Sequence, residues 1–304
     1  MKHFITILSL FVVTHTAQAQ QVIPLYENTI PNSKPAPNKE KHTVRDNGTE
    51  IVSDISIPTL TVFLPERPST ERTAVIIFPG GGYSINAIKH EGLDIAKKFN
   101  EWGVAAFVVK YRIPNDATMQ NKEIGPLQDA QQAISLVRAN AGKWNLHPER
   151  IGIMGFSAGG HLASTAGTHF KKPVIDSKTN LRPDFLILGN PVISYSDSIG
   201  HVGSRTNLLG KSPSRDKIIA YSNELQVTSE TPPTFLVHAS DDKAVPPANS
   251  IVFFQQLIKH NVPAELHIYE GGGHGFGMNN PTTDEEWMPT LKNWLVSRKL
   301  LKTQ

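Results

Sequence analysis

Short, continuously apolar stretches alternate with longer amphipathic stretches through most of this chain. The apolar or alternating runs that predict strands cover residues 59–64, 74–78, 104–109, 150–156, 184–188, 234–238 and 264–269. Apolar side chains at helical spacing predict helices over residues 92–102, from Pro126 onwards, over 251–259 and over 285–300. Buried parallel strands are apolar throughout, and their connecting helices cover both faces of the sheet. The alternation therefore predicts an α/β fold with a mainly parallel central sheet and helices on both faces.

Two segments depart from this alternation. Residues 31–41 are rich in Pro, Asn and Lys, and we expect residues 20–45 to form an extended N-terminal arm. Residues 195–225 are polar and contain several Gly and Ser, so they predict a small insertion near the functional site. The remainder of the chain, residues 46–304, is predicted to form one large domain with its own core.

The first residues contain the three parts of an export signal in the expected order. Lys2 provides a positive charge, residues 4–13 are mostly apolar, and Ala17-Gln18-Ala19 is a small-residue cleavage site. The apolar run is shorter than the roughly 20 residues that a membrane-spanning helix needs. Residues 1–19 are therefore predicted to be a signal peptide, which implies export to the periplasm or the medium with no membrane anchor after cleavage.

Composition and charge exclude several classes of function. The chain has no cysteine, which excludes a disulfide framework and a thiolate metal site. Its 30 Lys and Arg residues nearly balance 27 Asp and Glu residues. No run of basic residues marks a nucleic-acid surface, so we expect no nucleic-acid partner.

Residues 151–161 have the pattern of a nucleophile elbow, in which a strand turns sharply into a helix. Gly155, Ser157 and Gly159 form a Gly-x-Ser-x-Gly arrangement, and small residues follow. The glycines make room for a strained backbone at the serine, and the N–H of Ala158 can then point at a developing oxyanion. Ser157 is the candidate nucleophile, and the alternative interpretation is a buried Gly/Ser turn.

A second glycine-rich stretch, residues 79–83, directly follows the predicted strand 74–78. Its three glycines allow backbone N–H groups to converge on a small anion without obstruction by side chains. A phosphate-binding loop is disfavoured because the Lys-Ser/Thr and G-x-G-x-x-G patterns are both missing. A flexible turn without a binding role is the other alternative.

The third and fourth stretches supply an acid and a base. Asp241 and Asp242 follow an apolar strand, at the sheet edge where catalytic groups of open α/β sheets gather. His274 lies among the glycines of residues 271–277, again after a strand. A carboxylate in this position can orient a histidine and stabilise its imidazolium, and one of the two aspartates suffices.

The order of Ser157, an aspartate and His274 along the chain resembles that of the α/β-hydrolases. Over essentially all of the chain after the signal peptide, the sequence is similar to secreted bacterial acetyl esterases of the acetylxylan-esterase type. The stretches that carry this resemblance are Pro79-Gly80-Gly81-Gly82-Tyr83, His90-Glu91-Gly92, Tyr111-Arg112 and Gly155-Phe156-Ser157-Ala158-Gly159-Gly160-His161-Leu162.

The resemblance also assigns roles to individual residues. The acid of such families lies three residues before a Val-Pro or similar pair, which selects Asp242. The N–H groups of Gly81, Gly82 and Ala158 are implied to form the oxyanion hole. Related esterases have a histidine where this chain has Pro79. The proline cannot make the hydrogen bonds that a histidine makes at this position.

We further expect Tyr83 and Phe276 to contact the substrate. The implied activity is that of a serine carboxylesterase that hydrolyses short-acyl esters, acetyl esters above all, on plant polysaccharides or oligosaccharides such as xylan. Its substrate is an acylated carbohydrate or another small ester, and it needs no metal and no organic cofactor. Two alternatives stay open: a peptidase of the prolyl-oligopeptidase type, and a non-catalytic binding protein on a hydrolase scaffold.

Overall fold

The computed structural model describes residues 21–46, 48–66 and 71–302, so the predicted signal peptide lies outside the described residues. The strands are β1 (Gln21–Pro24), β2 (Lys41–Val44), β3 (Glu50–Ser53), β4 (Thr59–Phe63), β5 (Arg72–Phe78), β6 (Ile85–Asn86), β7 (Ala105–Lys110), β8 (Leu146–Phe156), β9 (Leu186–Gly189), β10 (Thr234–Ala239) and β11 (Ala264–Tyr269). The α-helices are α1 (Asp94–Glu101), α2 (Gly125–Ala139), α3 (Ser157–Thr168), α4 (Val202–Leu209), α5 (Arg215–Ala220), α6 (Ala248–Lys259) and α7 (Trp287–Ser297). A π-helical turn (Lys89–Leu93) leads into α1, and a 3₁₀ turn (Asn223–Gln226) follows α5.

Eight strands form the central sheet, in the order β1-β4-β7-β5-β8-β9-β10-β11. The five pairings from β7 to β11 are parallel, whereas β4 pairs with β1 and with β7 in the antiparallel sense. Strands β2, β3 and β6 form a small antiparallel sheet of their own. The prediction of a mainly parallel central sheet is therefore confirmed.

The core has two layers, one on each face of the central sheet. Alternate side chains of β5 enter opposite layers, because successive residues of a strand point to opposite faces. Ile76 packs with apolar residues of α2, α3 and α6, while Ile77 packs with apolar residues of α1 and α7. Helices on both faces of the sheet are thus confirmed, and burial of both faces explains why the central strands are continuously apolar.

Several element bounds differ from the sequence-based predictions for identifiable reasons. Strand β9 begins at Leu186 rather than at residue 184, and just before it the Asp184 carboxylate accepts hydrogen bonds from the Ile151 N–H and from Arg138. Helix α7 ends at Ser297 rather than at residue 300, since Lys299 has a left-handed φ of 59°. Local backbone conformation thus sets the end of α7.

The two segments that interrupt the alternation are both packed against the domain. β1 pairs with β4 at the edge of the central sheet, and the Pro31 carbonyl accepts a 2.8 Å hydrogen bond from the buried Arg112. Residues 195–225 contain α4, α5 and the start of the 3₁₀ turn. Among the described residues, no helix has both the length and the apolar character that crossing a membrane requires.

Candidate active site

Ser157 lies at the sharp turn between β8 and α3, where its φ is 50°. A Cβ at Gly155 would overlap the carbonyl of Gly159, and a Cβ at Gly159 would overlap the carbonyl of Phe78. Glycine at both positions lets the strand and the helix approach closely enough for this turn. The serine, 6% exposed, consequently stands at the carboxyl end of a buried central strand.

The structure brings Ser157, His274 and Asp242 together in one chain of contacts. His274 Nε2 lies 2.9 Å from the Ser157 hydroxyl oxygen, and His274 Nδ1 lies 2.6 Å from Asp242 Oδ2. The serine and the histidine are 117 positions apart in the sequence. An imidazole that contacts a hydroxyl on one side and a carboxylate on the other can activate the hydroxyl as a nucleophile.

The Asp242 carboxylate is buried and receives several hydrogen bonds. Its Oδ1 accepts from the N–H groups of Ala244 and Val245, both at 2.9 Å, and its Oδ2 also lies 3.2 Å from His238 Nε2. Burial by itself would raise the pKa of Asp242. Hydrogen bonds from two histidines and a backbone N–H outweigh that effect and hold the pKa well below its usual range. The acid therefore stays ionised beside the imidazole.

The neighbouring aspartate is in a different environment. Asp241 is exposed, and its Oδ1 accepts a 2.8 Å hydrogen bond from the Gly273 N–H. Because adjacent residues direct their side chains differently, one aspartate contacts the histidine ring and the other contacts the backbone beside it. Of the two aspartates, Asp242 is the one that contacts the ring of His274.

The Gly-rich loop of residues 79–83 lies against the elbow. A Cβ at Gly80 would come within 3.0 Å of the Ser157 Cβ. Gly81 and Gly82 have positive φ values of 131° and 64°. The N–H groups of Gly81, Gly82 and Ala158 have no acceptor within the described part of the chain. Their place beside Ser157 is compatible with the predicted oxyanion hole, which stays a prediction.

The expected substrate contact at Tyr83 needs correction. Tyr83 is only 1% exposed, its hydroxyl lies 3.0 Å from His161 Nδ1, and its ring packs edge-on against Tyr111. A side chain enclosed in this way beneath the elbow has no surface for a substrate, so we assign it a packing role. Phe276 is half-buried in the loop that carries His274 and packs edge-on against Tyr269. Its contact with substrate stays a prediction.

Buried histidines near the site serve as supports. Both ring nitrogens of His161 have partners, the Tyr83 hydroxyl and the Tyr221 carbonyl, and its ring stacks 4.2 Å from that of Tyr195. Burial lowers the pKa of His161 to about 4, so the ring is neutral at neutral pH. His238 Nδ1 lies 2.7 Å from the Ser250 hydroxyl, and His238 Nε2 lies 3.2 Å from Asp242 Oδ2.

Sequence reasoning missed three residues around the site. Glu91 is a buried carboxylate that accepts from the Gly80 N–H, and Asn207 of α4 donates to the Gly82 carbonyl. His201, just before α4, has its pKa lowered by burial and then by the nearby His274. Glu91 lay in a stretch that carries the family resemblance, and His201 and Asn207 lay in the segment 195–225 expected near the site, but none of the three had been identified individually. Among the described residues, no three metal-ligating side chains are grouped so as to hold a metal ion.

A parallel α/β sheet with an elbow serine, a histidine and a buried aspartate beyond the ends of its strands defines the α/β-hydrolase class. Two family models match the chain. Residues 60–186 match the family described as BD-FAE, and residues 194–300 match the prolyl oligopeptidase family.

Individual relatives agree with this class. The chain is 38% identical to an acetylxylan esterase of Xylanibacter ruminicola over 81% of its own length and 49% of the relative's. It is 34% identical to the endo-1,4-beta-xylanase B of Butyrivibrio fibrisolvens, over 76% of this chain and 36% of that protein. The chain thus spans about half or less of the length of these curated relatives.

A solved structure matches over nearly the whole of both chains. The acetyl ester-xyloside bifunctional hydrolase of Caldicellulosiruptor lactoaceticus is 39% identical, with a TM-score of 0.80 over 92% of this chain and 97% of that one. The present chain therefore belongs to the α/β-hydrolase family.

Proposed function

We propose that this protein is a serine carboxylesterase that hydrolyses short-acyl esters, chiefly acetyl esters of plant polysaccharides or oligosaccharides such as xylan. The observation that carries the proposal is the continuous contact chain from the Ser157 hydroxyl through His274 to the buried carboxylate of Asp242. Such a chain suits acyl transfer, in which a hydroxyl must lose its proton as it attacks.

In the proposed reaction, His274 takes the proton of Ser157 as the serine oxygen attacks the ester carbonyl. Asp242 holds the imidazole in the required tautomer and stabilises the imidazolium. The N–H groups of the Gly-rich loop and of Ala158 stabilise the oxyanion of the tetrahedral intermediate. His274 returns the proton to the leaving alcohol, and water, deprotonated by the same ring, then releases the acid from the acyl-enzyme.

The proposed substrate class rests on the relatives. Two of them are named for xylan chemistry and one for acetyl ester and xyloside hydrolysis. The test is release of acetate from acetylated xylan and from a panel of other acetylated glycans, beside turnover of a chromogenic acetyl ester. Turnover of the chromogenic ester without acetate release from acetylated xylan would contradict the xylan assignment while leaving the esterase assignment in place.

A peptidase of the prolyl-oligopeptidase type is the second candidate, favoured by the family match over residues 194–300. Chromogenic aminoacyl amides separate it from an esterase. We expect cleavage of the short-acyl ester and no cleavage of the amide, and the reverse preference would support the peptidase.

A binding protein without catalysis is tested by covalent labelling. A fluorophosphonate reacts with an activated serine, so we expect it to label the wild-type protein and to spare the Ser157→Ala variant. An unlabelled wild-type protein would support the binding-only alternative.

We also propose that residues 1–19 are a signal peptide, that residues 46–304 form the hydrolase domain, and that the mature enzyme acts outside the cytoplasm. The support is the order of charge, apolar run and small-residue cleavage site at the N-terminus. Expression of the full chain in a bacterial host, fractionation, and determination of the N-terminal residue of the exported form test this proposal. A cytoplasmic protein that keeps Met1 would overturn it.

A further inference from the structure

Four consecutive peptide groups of the Gly-rich loop are each held by a hydrogen bond. In the first, the Gly80 N–H donates to Glu91 Oε2 at 2.8 Å, and in the fourth, the Gly82 carbonyl accepts from Asn207 Nδ2 at 2.8 Å. In the second, the Gly80 carbonyl accepts from the Ala87 N–H at 2.9 Å. In the third, the Gly81 carbonyl accepts from the N–H groups of residues 84 and 85.

These contacts fix the direction of the two N–H groups that matter for the proposed reaction. In a trans peptide the N–H points away from the C=O of the same group. The carbonyls of the second and third peptides face residues 84–87, so the N–H groups of Gly81 and Gly82 face the opposite way. The loop meets Ser157 at Gly80, where a Cβ would stand 3.0 Å from the serine Cβ.

The two outer hydrogen bonds differ from the inner ones because they come from side chains of other elements. Glu91 belongs to the π-helical turn before α1, and Asn207 belongs to α4 in the segment 195–225. The hydrogen bonds that anchor the carbonyls of Gly80 and Gly81 come from residues 84–87, in the same turn. The loop is therefore tied to the rest of the domain at its two ends.

The Glu91 carboxyl group, which accepts from the Gly80 N–H at the first end of the loop, is buried. The Glu91 side chain is 4% exposed, and burial raises its pKa. Its Oε1 lies 3.7 Å from His90 Nε2, and a Cβ at Gly275 would stand 3.6 Å from the same oxygen. Burying a carboxyl group is costly unless hydrogen bonds compensate it. Here it lies between the Gly-rich loop and the loop that carries His274.

We propose that Glu91 and Asn207 are positioning residues that hold the Gly-rich loop at both ends and so direct the N–H groups of Gly81 and Gly82 at the oxyanion. This inference rests on the proposed esterase function. It assigns to Glu91 and Asn207 the anchoring that Pro79 cannot supply, and it gives the segment 195–225 a part in the reaction through α4.

The test replaces each anchor and measures kcat and KM separately on a chromogenic acetyl ester. The oxyanion forms only during the reaction, so misdirected N–H groups lower kcat and leave KM nearly unchanged. We expect Glu91→Ala to lower kcat about 100-fold, near the effect of losing one oxyanion donor, and Asn207→Ala to lower it about tenfold. Glu91→Gln keeps an oxygen acceptor for the Gly80 N–H and should restore kcat to within about threefold of wild type.

Two matched controls separate positioning from general loss of stability. Asn100 also donates from its amide to backbone carbonyls, those of Phe63 and Val104, and Glu101 carries an exposed carboxylate on α1. We expect Asn100→Ala and Glu101→Gln to leave kcat unchanged. The affinity for a boronic acid, which forms a tetrahedral adduct with the serine, should fall in the anchor variants in parallel with kcat.

Folded Glu91→Ala and Asn207→Ala variants with wild-type kcat would overturn the proposal. An equal loss in Glu91→Gln and Glu91→Ala would also overturn it for Glu91, since the charge rather than the hydrogen bond would then matter. If Glu91→Ala does not fold, the kcat of Asn207→Ala, a variant at a half-buried position, tests the proposal alone. An inactive wild-type protein would instead contradict the esterase proposal, and this is visible without any variant.

Discussion

The two sides of the candidate site are built differently. The serine and the Gly-rich loop follow β8 and β5 in the middle of the sheet, where every residue of β5 is buried. The acid and the histidine follow β10 and β11, and β11 is a partly exposed edge strand. Ser157 is 6% exposed, whereas the side chain of His274 is 26% exposed.

The central side depends on backbone groups, which close packing fixes at the elbow and hydrogen bonds fix in the Gly-rich loop. Gly155 and Gly159 are required in the elbow because a Cβ at either position would overlap a neighbouring backbone carbonyl. The edge side depends on side chains, and its loop is tethered by two adjacent aspartates: Asp241 binds the Gly273 N–H and Asp242 binds the His274 ring. The comparison teaches that the elbow is preorganised by close packing in the core, whereas the proposed base is positioned on a partly exposed edge by a few hydrogen bonds.

The largest effect is expected where the two sides meet, at the contact of Ser157 with His274. Replacing either residue by alanine removes the nucleophile or its base, and we expect kcat to fall by about 10⁶-fold. The measurement is kcat on a short-acyl ester, with circular dichroism to verify folding. Near-normal turnover by either folded variant would contradict the assignment.

The second prediction compares the two tethers of the edge side. Asp242→Asn removes the charge that holds the ring and its tautomer, and kcat should fall by about 10⁴-fold, as in trypsin-like enzymes. Asp241→Asn keeps an oxygen acceptor for the Gly273 N–H and should change kcat by less than about tenfold. A stronger loss in Asp241→Asn would show that the acid has been assigned one residue too late.

The third prediction compares one glycine from each side. A methyl group at Gly155 would overlap the Gly159 carbonyl in the packed elbow, so Gly155→Ala should cost several kcal/mol of folding free energy. Gly273 has a φ of 63°, but a methyl group added there would enter open space. Gly273→Ala should therefore cost only the left-handed strain, about 1 kcal/mol. Urea unfolding of both variants tests this difference, and equal costs would remove the contrast between core and edge.

The fourth prediction concerns pH and the support beneath the elbow. Burial lowers the pKa of His161 to about 4 from an ordinary 6.5, so the unfolded chain takes up a proton in a range where the folded protein does not. Stability therefore falls as pH drops from about 6.5 towards 4, and this group accounts for about 2 kcal/mol by pH 5. Urea unfolding at pH 7 and pH 5 measures the loss.

The control for this effect is His161→Gln, which does not titrate. Its stability should depend less on pH than that of the wild type over the same range, although it is less stable at pH 7. The raised pKa of Glu91 has the opposite effect on stability, because the folded protein holds the carboxyl proton more firmly than the unfolded chain does. Both the wild type and His161→Gln contain Glu91, so its contribution cancels when their pH dependences are compared. Equal pH dependence in both proteins would mean that His161 is not buried in its neutral form.

Much of the fold and of the candidate site could be predicted because the signals are local. The strand that became β5 is apolar at every position of its central part, and the elbow carries its glycines two residues on either side of Ser157. The positions of Asp242 and His274 beyond the ends of strands followed from the same pattern. The sequence therefore determined the fold class and which residues are brought to one edge of the sheet.

The tertiary structure decided which of those residues touch and what surrounds them. Asn207 lies 125 positions from Gly82, and its place in a polar segment carries no local sign of the hydrogen bond it makes. Tyr83 belongs to the Gly-rich stretch, yet packing against His161 and Tyr111 turned it into the core. The physical reason is the distance along the chain over which each feature is determined. Hydrophobic periodicity and glycine spacing depend on the conformation of nearby backbone, whereas the partners of a side chain depend on how elements distant in the sequence pack together.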